Sequence, residues 1–459
     1  MQWLTSFFVL LFAACAAARS AFGNKLLVIM DDVAEKAAYS TFLEDVKARG
    51  MDITYETPRS EKLSLFHLGE RTYDHVLFLP AKVKAGLGPN LTPNILVDFV
   101  KANGNIMVAL SSNVSTPSSL VAFLSELDIQ LPAERTGTVV DHFNYDTLSA
   151  SEKHDTLVLE TQSNVRPGMK NYFEMTGEFL VLPHTVGHVL GSGALLTPAL
   201  RAPATAYSYD PKEQGEVVDP ADLFAAGQQL ALVSTMQARN SARVTVIGSA
   251  EMLQDKWFQA QAQKVGGKKV RPNNRAYARR LSGWTFQEAG VLRVNSIEHR
   301  LQGSNETNPE LYRIKNDVDY TISISEYDWD KWVPFTIPAE DSLQLEFSML
   351  SPFHRMDLLP LSKTEDAAIF GTSFTLPDQH GIFNFMVNYK RPHTTYLEEK
   401  RTVSVRHMAH DEWPRSYVIS GAWPWLSGIA ATSIGFVAFC AVWMYSAPTD
   451  KATGKRAVR

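Results

Sequence analysis

KLLVIMDDVAEKAAYSTFLEDVKARG, residues 25–50, is the stretch whose reading decides the fold class. Its first six residues, Lys25 to Met30, form a short unbroken apolar run rich in β-formers. Such a run suits a strand covered on both faces, as in a parallel sheet. Asp31 and Asp32 follow, and then Val33, Ala37, Phe42 and Val46 supply apolar positions for a helix from Val33 to Arg49, closed by Gly50. Outward from there the pattern repeats. Ile53 to Thr57 reads as a second strand, Val76 to Leu79 and Ile106 to Leu110 as further buried strands, and Pro93 to Ala102 as a helix between them. Strand and helix alternating at this spacing imply βαβ units and an α/β domain with a mostly parallel sheet. A late pair, Leu230 to Met236 and Arg243 to Ile247, is expected to return to that sheet. Residues 130–225, with pieces such as Thr156 to Glu160, suggest antiparallel additions.

Beyond a basic stretch from Lys264 to Arg280, read as a flexible connection, the period changes. TISISEY, LQLEFSML, FNFMVNY and TVSVRHM all alternate with period two, and turn residues punctuate them. This predicts an antiparallel β-sandwich-like domain. The expected division is a signal peptide at 1–20, a lumenal α/β domain at 24–255, a linker or helical segment at 256–290, a β-sandwich-like domain at 291–410, a transmembrane helix at 421–445 and a tail at 446–459.

The transmembrane reading rests on Trp423 to Tyr445, about 23 residues without a charged side chain. At ~1.5 Å per residue that length crosses a ~30 Å hydrocarbon core. Trp423 and Trp425 stand at one end, Trp443 and Tyr445 at the other, as in interfacial aromatic belts. Lys451, Lys455, Arg456 and Arg459 outnumber Asp450 beyond the span, which places the tail in the cytosol and the bulk of the chain across the membrane. Leu4 to Ala18 with Ala16-Ala17-Ala18 reads as a secretory signal, a signal anchor being the alternative. A net charge of −5 argues against nucleic acid as a partner. The only cysteines, Cys15 and Cys440, fall in the signal and the span. The lumenal part therefore has no disulfide, no thiol nucleophile and no thiolate zinc site.

Several short motifs admit two readings. Asp31-Asp32 sits where open α/β sheets bind ligands, yet Asp32 with Glu35 also has the spacing of a helix cap. Gly248-Ser249-Ala250 follows a strand but lacks the GxSxG spacing, so Ser249 reads as a cap. His184 and His188 have ligand spacing, but Pro183 and Gly187 disfavour the helix such a pair needs. Asp317-Val318-Asp319 and Asp328-Trp329-Asp330 match a two-carboxylate pattern. On strands, alternation puts each pair on one solvent-facing side. Asn90, Asn113 and Asn305 begin Asn-X-Ser/Thr sequons, Asn305 in the polar loop GSNETNP being the best placed and Asn90 hindered by Pro93. Gly421, Gly428, Ala431, Gly435 and Ala438 fall on one stripe of the apolar helix, the arrangement through which membrane helices pack.

The C-terminal half carries a more specific pattern. Trp284-Thr285-Phe286 with Gly290 to Val294 and His299, then LEFSMLSPFHRMDL (345–358), FTLPDQHGIFNFMVNYKR (374–391) and VSVRHMAHDEWPR (403–415) resemble the 48 kDa (beta) subunit family of oligosaccharyltransferase, of fungal type. The LLVIMDD start and the layout resemble it too, so the likeness covers essentially the whole mature chain. The resemblance implies a non-catalytic subunit of the endoplasmic reticulum complex that transfers a preassembled glycan from dolichyl diphosphate to Asn in sequons. Catalysis and its metal would belong to a separate multi-span subunit. Implied partners are that subunit, a ribophorin-II-like subunit, a small defender-against-death-type subunit and the membrane, with transient contact to lipid-linked glycan or nascent chain and no cofactor. The implied N-terminal fold is similar to glutamine-amidotransferase and GIFT domains without their catalytic Cys. The tail departs from the dilysine retrieval pattern of some members, ending Lys455-Arg456-Ala457-Val458-Arg459. An independent lumenal hydrolase or transferase and a type I cell-surface receptor are the competing readings.

Overall fold

The computed structural model describes residues 20–82, 86–133, 135, 137–161, 169–175, 177–210, 223–413 and 420–445. The expected signal cleavage region and the 446–459 tail lie outside the described residues.

The opening stretch is a strand, β1 (Lys25–Ile29), and it sits inside a nine-stranded sheet. Its partners in chain order are β2 (Asp52–Glu56), β3 (His75–Phe78), β4 (Asn105–Ala109), β5 (Ile129–Gln130), β6 (His188–Leu190), β7 (Leu196–Arg201), β8 (Leu230–Gln237) and β9 (Arg243–Ile247). The order across the sheet is β2-β1-β3-β4-β9-β8-β6-β5, with β7 also on β8. β2, β1, β3, β4 and β9 run parallel. β8 pairs antiparallel with β9, β7 and β6, and β6 with β5. The sheet is therefore mixed, where a mostly parallel one was expected. The cause is local: β8 and β9 are joined by a tight turn closed by the Ala238 N–H on Ala242 O at 2.8 Å, and a short hairpin can only be antiparallel.

Every residue of β3, β4, β8 and β9 is buried, which is why these strands are predominantly apolar without period-two alternation. Period-two alternation sends Leu26, Val28, Leu77 and Met107 to one face and Leu27, Ile29, Val76, Phe78, Ile106 and Val108 to the other. Helices α2 (Pro93–Lys101) and α3 (Ser118–Glu126) cover the second face with Leu96, Phe99, Leu120 and Phe123. The first face is covered by α1 (Ser40–Ala48), the short α4 (Asp255–Gln259) and α5 (Asn274–Thr285). Residues 33–39 form a 3₁₀ turn rather than the start of a continuous α-helix. Ala34, Ala37 and Ala38 are exposed there, and the packing face begins only with Tyr39, Phe42 and Val46. The true N-terminus of α1 is capped from outside: Asp255 accepts from Thr41 N at 2.9 Å and from Ser40 Oγ at 2.6 Å.

Residues 274–280, read from composition as part of a flexible basic connection, instead open the central helix α5. Its Tyr277, Leu281 and Trp284 are buried against the sheet, while Arg275 and Arg279 stay outward. Long basic side chains on one stripe masked an apolar face at helical spacing.

The chain then passes directly into a second body of two five-stranded sheets. One contains β10 (Ala289–Leu301), β12 (Asp317–Asp328), β13 (Lys331–Pro334), β16 (Leu359–Lys363) and β17 (Ala368–Thr375). The other contains β11 (Leu311–Arg313), β14 (Gln344–Ser348), β15 (Pro352–Asp357), β18 (Gly381–Tyr389) and β19 (Leu397–Arg406). All pairings are antiparallel except β11 with β19, which is parallel. The core between the sheets is aromatic: Phe347 stacks on Phe383 with centroids 4.6 Å apart, and Tyr320 on Phe385 at 5.4 Å. Helix α6 (Trp423–Met444) has a mean hydropathy of 1.8 and buries none of its surface, so it is long and apolar enough to cross a bilayer.

Candidate functional site

The densest buried polar cluster lies where the two bodies meet. Arg243 opens β9 and is fully buried. Its Nη1 donates to Trp284 O and Ala289 O, each at 2.6 Å, and its Nη2 to Gly290 O at 2.7 Å. The guanidinium also lies 4.7 Å from the Trp284 ring centroid. Burial pushes Arg243 down to about 9, so it remains a cation at neutral pH. One planar fork thus ties the sheet, the end of α5 and the first turn of the β-domain together.

The β-domain answers with the segment His393–Thr395. His393 O accepts from Trp284 Nε1 at 2.8 Å, its Nε2 lies 3.2 Å from Thr235 Oγ1, and Thr394 O accepts from Gln237 Nε2 at 2.5 Å. Thr395 N donates to Gly290 O at 3.0 Å. Gly290 has φ +69°, and a Cβ there would stand 2.6 Å from His393 O, so the close approach requires glycine. Two carboxylates complete the seam. Glu288 pairs with Arg49, just past the end of α1, at 2.5 Å, and Glu326 of β12 holds Lys170 Nζ at 2.5 Å and Tyr172 Oη at 2.7 Å. Burial holds Arg49 below its ordinary value and His393 down to about 4, so the histidine is neutral here. The contacts bridge the seam, although Arg243 Nε, His393 Nδ1 and Gln237 Oε1 are buried without a hydrogen-bond partner. The cluster is a joint between the sheet and the β-domain.

The other candidate is the C-terminal edge of the parallel strands. A pocket there is lined by Ile29, Leu79, Leu110, Ser111, Val114 and Leu120, among others, and has a volume of about 10 Å³, room for about one water. Asp32 lies on the 3₁₀ turn beside it and accepts from Ala34 N at 2.9 Å, the cap its spacing allowed. Glu35 reaches Lys82 at 3.1 Å instead of closing a capping box. Asp31 is half-buried next to Asp32.

Residues 17–288 match the family described as OST48, N-terminal domain, and residues 299–447 match the OST48 middle domain. The chain belongs to the OST48 family. It is 33% identical over 457 residues to the 48 kDa subunit of dolichyl-diphosphooligosaccharide–protein glycosyltransferase of Caenorhabditis elegans, covering 98% of this chain and 97% of that one. The wbp1 subunit of the same-named enzyme in Schizosaccharomyces pombe is 32% identical over 413 residues, 89% of this chain and 90% of that one. The Danio rerio 48 kDa subunit is 32% identical over 434 residues, 93% of each. Among solved structures, a glutamine amidotransferase of Thermotoga maritima superposes with a TM-score of 0.27 and 9% identity over 49% of this chain and 75% of that one. The carbohydrate deacetylase Agd3 gives 0.28 and 10% over 49% and 29%. Likenesses this weak carry no argument.

In this OST48 chain the remaining candidate residues are dispersed. Ser249 is buried, donates to Pro183 O at 2.5 Å and accepts from Met252 N at 3.3 Å, which makes it a turn cap. His184 pairs with Asp155 at 3.2 Å, while His188 is buried 2.8 Å from Ser234 Oγ, so the two histidines serve separate partners. Asp317 and Asp319 share one side of β12 and accept from Thr375 and Ser373. Asp328 and Asp330 do not share a strand: they flank Trp329, φ +63°, in the β12–β13 turn. Among the described residues no group of three or more His, Cys, Asp or Glu could hold a metal. Asn113 is exposed and donates to Glu251 Oε1 at 2.9 Å, and Asn305 is exposed in the loop after β10. Asn90 is half-buried, and the Thr92 of its sequon caps α2. Gly428 and Gly435 face open space on α6, and Ala431 and Ala438 of the same stripe are exposed. The joint was the feature that sequence reasoning missed. Its one visible signal was Trp284-Thr285-Phe286 closing a helical pattern just before a strand.

Proposed function

We propose that this chain is the non-catalytic 48 kDa-type subunit of oligosaccharyltransferase, the endoplasmic reticulum complex that transfers a preassembled glycan from dolichyl diphosphate to Asn in Asn-X-Ser/Thr. The observation that carries the reading is the family match across both bodies of the chain, 17–288 and 299–447. The single-pass arrangement, with the bulk in the lumen and the tail in the cytosol, is supported by the charge balance around α6. Its mechanism is positional. The joint makes one body of the two lumenal domains, and α6 tethers that body beside partner subunits, of which the multi-span catalytic subunit, a ribophorin-II-like subunit and a small defender-against-death-type subunit are the expected ones. The amidotransferase or GIFT-like character of the first domain belongs to the same proposal. Without a cysteine between Cys15 and Cys440, such a domain would lack the thiol nucleophile.

Purification of the tagged full chain in mild detergent tests this reading. It predicts co-purification of a multi-span subunit together with transfer activity on a sequon peptide; recovery of the chain alone would overturn it. The Gly428, Ala431, Gly435 and Ala438 stripe is proposed as a packing surface for a partner span. Gly428→Leu with Gly435→Leu then weakens co-purification while membrane insertion is unchanged. Asp31 and Asp32 are proposed to contact lipid-linked glycan or acceptor chain at the sheet edge. Unaltered glycosylation efficiency in the Asp31→Ala, Asp32→Ala double variant would remove that part. Occupancy of Asn90, Asn113 and Asn305 is read by mass spectrometry of glycosidase-treated peptides, with Asn305 expected to be modified.

A further inference from the structure

The outer face of the sheet containing β18 and β19 is mixed and carries its most exposed large apolar side chains at one end. Outward positions Asn388, Met386 and Asn384 of β18 lead to Ile382, and Glu398, Lys400 and Thr402 of β19 lead to Ser404. The pairing register sets Leu311 opposite Ser404 and Ser404 opposite Ile382. The β14–β18 pairing ends with Ser348 facing Asn384, and Leu350 lies just beyond it in the β14–β15 turn at the same end of the sheet. Leu350 is 100% exposed, Ile382 63% and Leu311 56%, so large apolar side chains form a water-facing row across the end of the sheet.

The chain leaves for its apolar helix from this same end. β19 finishes at Arg406 beside Arg313. The next residues fold back onto that end: Glu412 accepts twice from Arg406, each at 2.8 Å, and lies 4.0 Å from Arg313. Trp413 follows, 55% exposed. The eleven steps from Glu412 to Trp423 reach at most ~40 Å when fully extended, so the row lies within that distance of the start of α6. Glu412 and the adjacent Asp411 offset the two arginines, and Asp378 offsets Lys315 at 2.8 Å. The end therefore offers apolar and indole groups without a cationic patch, the chemistry of a surface that settles on neutral headgroups rather than anionic ones.

We propose that Leu311, Ile382 and Leu350, with Trp413, rest on a zwitterionic lipid surface, the face of the bilayer that α6 crosses. The proposal rests on the reading of α6 as a span. The contact of that row and Trp413 restricts the tilt of the lumenal body relative to the membrane, which a single helix and a short connection leave open.

The test uses the full chain in phosphatidylcholine nanodiscs. Variants with Cys15→Ala and Cys440→Ala carry Leu350→Cys, Leu311→Cys or Asn388→Cys, each labelled with an environment-sensitive fluorophore. All three positions are solvent-facing, so the substitutions remove no core packing. A doxyl lipid quencher near the headgroups is expected to dim positions 350 and 311 several-fold more than 388, and aqueous iodide to do the reverse. A chain labelled at its native Cys440 reports the span independently. Iodide access at 350 and 311 equal to that at 388, with Cys440 still quenched from lipid, overturns the proposal. Loss of lipid quenching at Cys440 overturns the span reading instead. Shielding of 350 and 311 from both quenchers only in the presence of other subunits makes the row a protein interface and likewise overturns it.

Discussion

At the joint, Arg243 is buried and its two terminal nitrogens are held by three backbone carbonyls, with the guanidinium against an indole face. At the C-terminal edge of the parallel strands, where an α/β enzyme keeps its chemistry, Asp32 is exposed and caps a turn beside a pocket with room for about one water. The difference is instructive. The buried cation at the joint fastens one domain to the other, and Asp32 at the sheet edge carries ordinary turn chemistry.

That contrast can be broken by substitution. Arg243→Ala removes the charged donors to three buried carbonyls and is expected to lower stability by about 3–5 kcal/mol, with Arg243→Lys recovering little because an ammonium cannot span the same acceptors. Denaturant unfolding of the full chain in detergent measures it, and an effect under ~1 kcal/mol would deny the joint its role. Glu288→Ala strands Arg49 in a buried site and is expected to lower stability by about 2–4 kcal/mol in the same assay.

Acid should weaken the assembly of domains in a defined window. His75, His188 and His393 are buried, and burial holds each down to about 4. Unfolded, each titrates near 6.5, so between about pH 6.5 and 4 the unfolded state binds more protons. Stability is thus intact above pH 6.5 and falls as pH drops, by about 2 kcal/mol per histidine at pH 5. Unfolding midpoints that stay level from pH 7 to 5 would contradict the neutral buried states. His393→Gln should flatten part of that slope at the joint while the His75 and His188 contributions persist.

The smallest effect is expected at the sheet edge. Asp32→Ala removes one cap and should lower stability by about 0.5–1 kcal/mol, with Asp31→Ala near neutral. A large loss at either position would show that the edge, too, holds a structural network.

Much of the fold was legible because buried parallel strands leave unbroken apolar runs: KLLVIM, VLFL and IMVAL each mark a strand of the sheet. The pair ending in Arg243–Ile247 was equally visible. What period and composition could not reveal were the tertiary roles. Arg243 looks like an ordinary polar strand end, and only the arrival of carbonyls from Trp284, Ala289 and Gly290 makes it a buried fastener. Arg275 and Arg279 gave α5 the appearance of a basic connector although Tyr277, Leu281 and Trp284 form its core face. The Asp328–Asp330 pair read as strand because alternation was assumed through Trp329, whose left-handed backbone turns the chain there.

The central claim is that the chain works by assembly and carries no chemistry of its own. The direct measurement is glycan transfer from dolichyl diphosphate to a sequon peptide, assayed on the mild-detergent complex and again on the full chain stripped of its partners. The account predicts activity in the complex and none in the isolated chain. Transfer by the isolated chain would contradict it.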